Sequence, residues 1–69
     1  MSYENYSRIR VKTDRLGHEG IRSGDIGYII EVYEDGNYEV EFSDENGVTI
    51  LLTVLAEYEF ELADEMHDP

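Results

Sequence analysis

Glutamate recurs at every second position in two stretches of this chain: Glu39 and Glu41 within Tyr38-Glu39-Val40-Glu41-Phe42, and Glu57, Glu59 and Glu61 further on. On an extended strand, carboxylates so spaced stand ~6.6–6.8 Å apart on one face. With Glu31 on a further strand, two neighbouring rows would present about one negative charge per ~3.4 Å, the axial charge spacing of a DNA strand. Such a surface has the chemistry to occupy a cationic site built for phosphate. The same alternation also fits a solvated polar face, although that face more often mixes lysine with glutamate, because like charges across strands repel.

The charge is unevenly distributed. Seventeen acids and 5 bases give a formal net charge of −12. Arg8, Arg10, Lys12, Arg15 and Arg22 all precede residue 23, and every later ionised side chain is acidic. Solubility requires much less than this. A surface of this sign repels nucleic acid and anionic lipid. The expected partner is therefore a basic protein, such as a nucleic-acid-binding toxin, a nuclease or an effector complex, with no direct nucleic-acid or membrane binding. Tyr33 lies beside Glu31 on the polar side and supplies an aromatic suited to an interface. Glu34, Asp35, Asp44 and Glu45 carry the acidity into the turns. The residues expected to meet the partner are Glu31, Tyr33, Glu34, Asp35, Glu39, Glu41, Asp44, Glu45, Glu57, Glu59 and Glu61. Tyr3, Tyr6 and Tyr58 have no evident core role; Tyr28 and Tyr38 read as core or rim packing, a reading that Tyr58 also admits.

Catalysis and metal binding find little support. Asp44-Glu45-Asn46-Gly47 has its glycine in the wrong place for a calcium loop and no closing glutamate, so it reads as a turn. His18 and His67 are isolated, and the chain has no cysteine for a disulfide or a thiolate zinc site. No serine sits in a nucleophile motif. The chain is expected to be no enzyme and to carry no cofactor or metal. Arg8, Arg10 and Lys12 share one face of a strand, where they would either contact RNA or neutralise an acidic neighbouring strand; the overall charge favours neutralisation.

The elements that position these residues are short and extended. Ser7 to Thr13 alternates, with Ile9 and Val11 on one face. Residues 14 to 25 hold three glycines and isolated Leu16 and Ile21, the pattern of a long irregular loop pinned by two side chains. The β-branched and aromatic run from Ile26 to Tyr33 predicts a central strand with Ile26, Tyr28, Ile30 and Val32 on one face. Asp35-Gly36 and Asn46-Gly47 predict hairpin turns around Tyr38 to Phe42, and Val48 to Thr53 forms the next strand. Ala56-Glu57-Tyr58 fits a 3-10 turn ahead of a short last strand, Glu59 to Leu62. The predicted fold is all-β: a small five-stranded SH3-like barrel spanning residues 7–63, with an N-terminal extension (1–6) and an acidic tail (64–69). The opening Met1-Ser2-Tyr3-Glu4 has no leader pattern and no run is long enough to span a bilayer, so a soluble cytoplasmic protein is expected.

Gly20-Ile21, Gly24-Asp25-Ile26-Gly27, Ile30-Glu31-Val32-Tyr33, Tyr38-Glu39-Val40-Glu41-Phe42 and Gly47-Val48-Thr49 together resemble a bacterial family of small proteins known only as a domain of unknown function. The resemblance spans roughly residues 7 to 62, and the Tyr-Glu-Val-Glu-Phe segment after a Gly-Asp-x-Gly strand start is its most specific part. The family is similar in pattern to SH3-like and KOW-type barrels, and members are often encoded beside toxin-like genes, which implies an antidote role. Tyr28 after Gly27 departs from the usual opening of that strand. The resulting expectation is an acidic inhibitor that blocks a nucleic-acid-binding site by phosphate mimicry, of antitoxin, immunity or anti-CRISPR type. The rivals are an assembly module held by non-electrostatic contacts, by strand addition or an apolar groove, and a KOW-like RNA or ribosome binder.

Overall fold

The computed structural model describes residues 3–63, so the expected acidic tail lies outside the described residues. Five strands follow one another: β1 (Arg8–Val11), β2 (Ile26–Val32), β3 (Asn37–Ser43), β4 (Thr49–Ala56) and β5 (Phe60–Leu62). They form one antiparallel sheet in the order β4-β3-β2-β1-β5. A 3-10 turn (Glu57–Glu59) carries the chain from one edge strand, β4, to the other, β5. The all-β expectation holds, including the long first loop and the turn before the last strand. Among the described residues, no hydrogen-bonded ladder joins the sheet's two edges.

Alternation explains β1 and β3. Ile9 and Val11 of β1, and Tyr38, Val40 and Phe42 of β3, face a common core with Leu55 and Phe60, while the residues between them face outward. The Tyr33 N–H bonds the Asn37 carbonyl and the Asp44 N–H bonds that of Val48, and each bond closes a three-residue loop whose last residue is a glycine with positive φ, Gly36 (91°) and Gly47 (83°). The loop carboxylates order these turns. Asp35 accepts the Asn37 backbone N–H (3.0 Å), and Asp44 accepts those of Asn46 (2.8 Å) and Val48 (3.0 Å). The first loop is pinned as expected: Leu16 and Ile21 are buried, and Val11 closes its base by bonding Gly24 and Asp25. Inside the loop, Gly17–Glu19 forms a 3-10 turn.

Strand β2 departs from its predicted pattern. Ile29 is buried while Tyr28 is exposed, because Gly27 and Ile29 take the inward positions against Val40 and Phe42, and a β-bulge then falls between Ile29 and Glu31. Ile29 pairs with Val40 and Glu31 with Glu39, so Ile30 is the extra residue and the inward parity changes across it. Ile26, Tyr28, Ile30 and Val32 therefore do not share a core face. Tyr58 is also exposed, so of its two readings the one without a core role holds. Tyr3 departs the other way. Its ring lies 5.3 Å from that of Phe60 and 5.9 Å from that of Tyr38, so this part of the N-terminal extension packs on the core.

Gly27 shows why the signature needs glycine at the start of β2. A Cβ there would lie 2.7 Å from Phe42 Cε1 and 2.8 Å from Val40 Cγ1, closer than packed carbons approach. Gly27→Ala should therefore lower stability by about 1–3 kcal/mol, the usual cost of overpacking. Urea unfolding of the two proteins checks this; equal midpoints would show that β2 and β3 have room to separate.

Candidate functional site

The outward face of the sheet can be read row by row, because residues opposite one another in an antiparallel pair project to the same side. One row runs Arg8, Tyr28, Glu41, Leu52 from β1 to β4, and the next runs Glu31, Glu39, Val54 from β2 to β4. The centre of the face is acidic, the β1 side is basic, and the β4 edge is apolar.

Glu31 and Glu39 stand directly opposite each other. Strands β2, β3 and β4 contain no lysine or arginine to balance them. Tyr33 leans over the pair, and its hydroxyl donates a 2.7 Å hydrogen bond to Glu39 Oε1. That bond, helped by the negative charges of Glu39, Glu31 and Asp35, holds the Tyr33 phenol above its ordinary value. Glu34 and Asp35 lie in the adjoining turn, and Glu57 follows Ala56, which pairs with Asn37 at the same end of the sheet. At the opposite end, Glu41 accepts a hydrogen bond from the Thr49 hydroxyl, with Asp44 and Glu45 in the turn beyond.

The structure does not bring all the expected carboxylates together. β1 lies between β2 and β5, so a continuous ladder over β2, β3 and the last strand does not form. Glu61 sits on the far side of β1, where it pairs with Arg10 at 2.9 Å. The Arg8 guanidinium bonds the Ala63 carbonyl at 2.8 Å. The Arg10 contact fits the neutralising role expected of the basic strand, whereas the Arg8 contact is to an uncharged carbonyl.

Glu59 is turned inward. Its side chain is only 7% exposed and receives Arg15 through two bonds, Nε to Oε2 at 2.6 Å and a terminal nitrogen to Oε1 at 2.9 Å. Oε1 also accepts the Ala56 backbone N–H at 2.9 Å. The Arg15 hydrogen bond, with the Ala56 bond and Arg15's charge, holds the Glu59 carboxyl below its usual range against the opposing effect of burial. Nothing in the alternation of Glu57, Glu59 and Glu61 marks the middle one as structural. Sequence reasoning also passed over the apolar residues of β4, although the uncharged run from Val48 to Ala56 carried the signal.

Among the described residues, no group of three or more His, Asp or Glu side chains is arranged to hold a metal ion. No described helix is long and apolar enough to cross a membrane. Fold and face together define a small acidic all-β domain whose single sheet shows a charged, aromatic and apolar outer surface. The chain belongs to the family described as Domain of unknown function (DUF4926), whose model matches residues 6–62. Comparison with curated proteins and with solved structures gives no match.

Two predictions concern titration. Arg15→Met should cost about 1–3 kcal/mol near neutral pH by leaving a buried carboxylate without its charged donor. The Glu59 contribution is fully present above the unfolded carboxyl value of about 4.3 and is lost as pH falls through the lower folded value. The stability gap between wild type and variant should therefore shrink in acid, as measured by denaturant unfolding across pH; a gap independent of pH would disprove the linkage. Glu39→Gln should bring the Tyr33 phenol back down toward its ordinary range. Ultraviolet difference titration against Tyr33→Phe reads this directly, and an unmoved phenol would mean that the Tyr33 contact is lost in solution.

Proposed function

We propose that this domain is an acidic inhibitor that binds a basic protein through the outward face of β2 and β3 and competes there with nucleic-acid phosphate. The observation that carries the reading is the unbalanced pairing of Glu31 with Glu39. Like charges set directly across a sheet destabilise it, and a lysine at either position would relieve the repulsion. A cationic surface docked on this face would do the same, gaining ion pairs to Glu31, Glu39 and Glu41. Tyr33 supplies an aromatic that arginine side chains stack on well. Glu34, Asp35, Asp44 and Glu45 extend the field at both ends and favour fast, salt-sensitive association.

Glu59 and Glu61 are left out of the contact surface, being engaged by Arg15 and Arg10. The mimicry is therefore a compact patch on two adjacent strands and not a long ladder. Antitoxin, immunity protein and phage-type inhibitor are all roles such a patch can serve, and none of them requires catalysis by the domain itself. The RNA-binding alternative is weaker, because Arg8 and Arg10 point toward acceptors within the fold.

Proteins captured on the immobilised chain should be nucleic-acid binders that are released both by raised salt and by added double-stranded DNA. Glu39→Lys with Glu41→Lys should abolish that capture, while Glu31→Lys should weaken it and stabilise the domain by about 0.2–1 kcal/mol. Partners that remain on the double variant, or that resist both salt and DNA, would rule out the acidic face.

A further inference from the structure

Strand β4 is an edge strand of eight residues with no charge and no proline, features that natural proteins normally place on such edges to prevent pairing with another chain. Its outward side chains Leu52 and Val54 are 52% and 41% exposed. Arg15 lies beside this strand and donates a 3.1 Å hydrogen bond to the Val54 carbonyl. That carbonyl points away from β3, and the two-residue period of the ladder directs the N–H and C=O of Leu52 to the same open edge. Arg15 thus covers the end of β4 near Val54, and the Thr49–Leu52 stretch lies beyond its contact.

A second β-bulge, between Phe42 and Ser43 on the β3 side, makes Ile50 the extra residue of β4. Ile50 lines an open hollow of about 300 Å³ with Ile21, Ile26 and Phe42, and Asp25 and Ser43 also border it. Ile21 and Phe42 belong to the core side of the sheet, and the apolar walls they give the hollow suit an apolar side chain.

We infer that β4 is a strand-addition site for a basic extended segment of the partner, in which lysine or arginine alternates with apolar residues. This rests on the reading of the acidic face given above and specifies how the partner is held. Main-chain bonds to the Thr49–Leu52 edge give register. The cationic side chains project to the outer face, where their aliphatic stems lie over Leu52 and Val54 and their tips reach Glu41 and Glu39, the cross-strand neighbours of those residues. The apolar ones project to the opposite side, where the hollow beside Ile50 takes one of them. Charge selects this occupant over a second copy of the chain, which would bring another −12 against the same face.

The test uses the full chain and a short synthetic peptide alternating lysine and valine, compared with the same peptide N-methylated at alternate residues. N-methylation on the pairing edge removes the donors for main-chain bonds and leaves every side chain in place. One N-methylated form should bind about tenfold more weakly than the parent. The parent should also slow amide exchange at Leu52, with no such protection on β5. If both N-methylated forms bind as tightly as the parent and binding still depends on Glu39 and Glu41, strand addition is wrong and the acidic face stands. If neither peptide binds at low salt, both readings fall.

Discussion

The bond between Arg15 and Glu59 decides how this sheet is held together. β4 and β5 are its two edges, and among the described residues no ladder joins them. Arg15, from the long first loop, reaches the Val54 carbonyl on β4 and both oxygens of Glu59 immediately before β5. One side chain therefore ties the loop to each edge. A domain of 69 residues without cysteine has a small core and no covalent staple, so a contact that fixes three segments at once has a large effect on it. Isolated surface ion pairs contribute little. This one differs because the carboxylate is buried and would be left without its charged donor.

Much of the fold could be read in the sequence, because period two is a strong signal wherever one face is buried. Ile9 with Val11, and Tyr38 with Val40 and Phe42, obey it without interruption. The turn glycines and the two loop anchors, Leu16 and Ile21, were equally plain, since few residue types serve those positions. What escaped was set by tertiary geometry. Which glutamate of Glu57, Glu59 and Glu61 turns inward depends on the place of Arg15, 44 residues away in the chain. The separation of β5 from β2 follows from strand order, which alternation does not encode. Tyr3 was misjudged because an aromatic outside any strand gives no periodic clue that it packs on Phe60.

Distance decides which part of the charge imbalance acts on the fold. At physiological ionic strength, charges farther apart than about 8 Å are largely screened from one another. The total of −12 therefore governs encounters with other molecules more than it governs folding. The local pairing of Glu31 with Glu39 lies within the screening length and does bear on stability. Tyr33 softens it by donating to Glu39, which spreads the charge without removing it. The basic strand answers a different part of the molecule, with Arg10 on Glu61 and Arg8 on the Ala63 carbonyl. One ion pair thus balances a carboxylate of β5, whereas β2 and β3 have no lysine or arginine beside Glu31 and Glu39. A domain selected for stability alone would have distributed its arginines over both regions.

Both departures from regular pairing shape that same face. Without the bulge at Ile30, the parity that buries Gly27 and Ile29 would continue and direct Glu31 into the core. The extra residue instead turns Glu31 outward to meet Glu39, and leaves Val32 opposite the buried Tyr38. The bulge at Ile50 has a parallel effect on β4. It lets Thr49 reach Glu41 from the outer side while Ile50 itself lines the hollow beside Phe42. Bulges of this kind re-aim side chains at the expense of ladder bonds. Here one aims a carboxylate and the other opens a hollow beside an uncharged edge. The first bulge thus completes the acidic centre by setting Glu31 against Glu39, whereas the apolar border of Leu52 and Val54 follows from their regular pairing with Glu41 and Glu39.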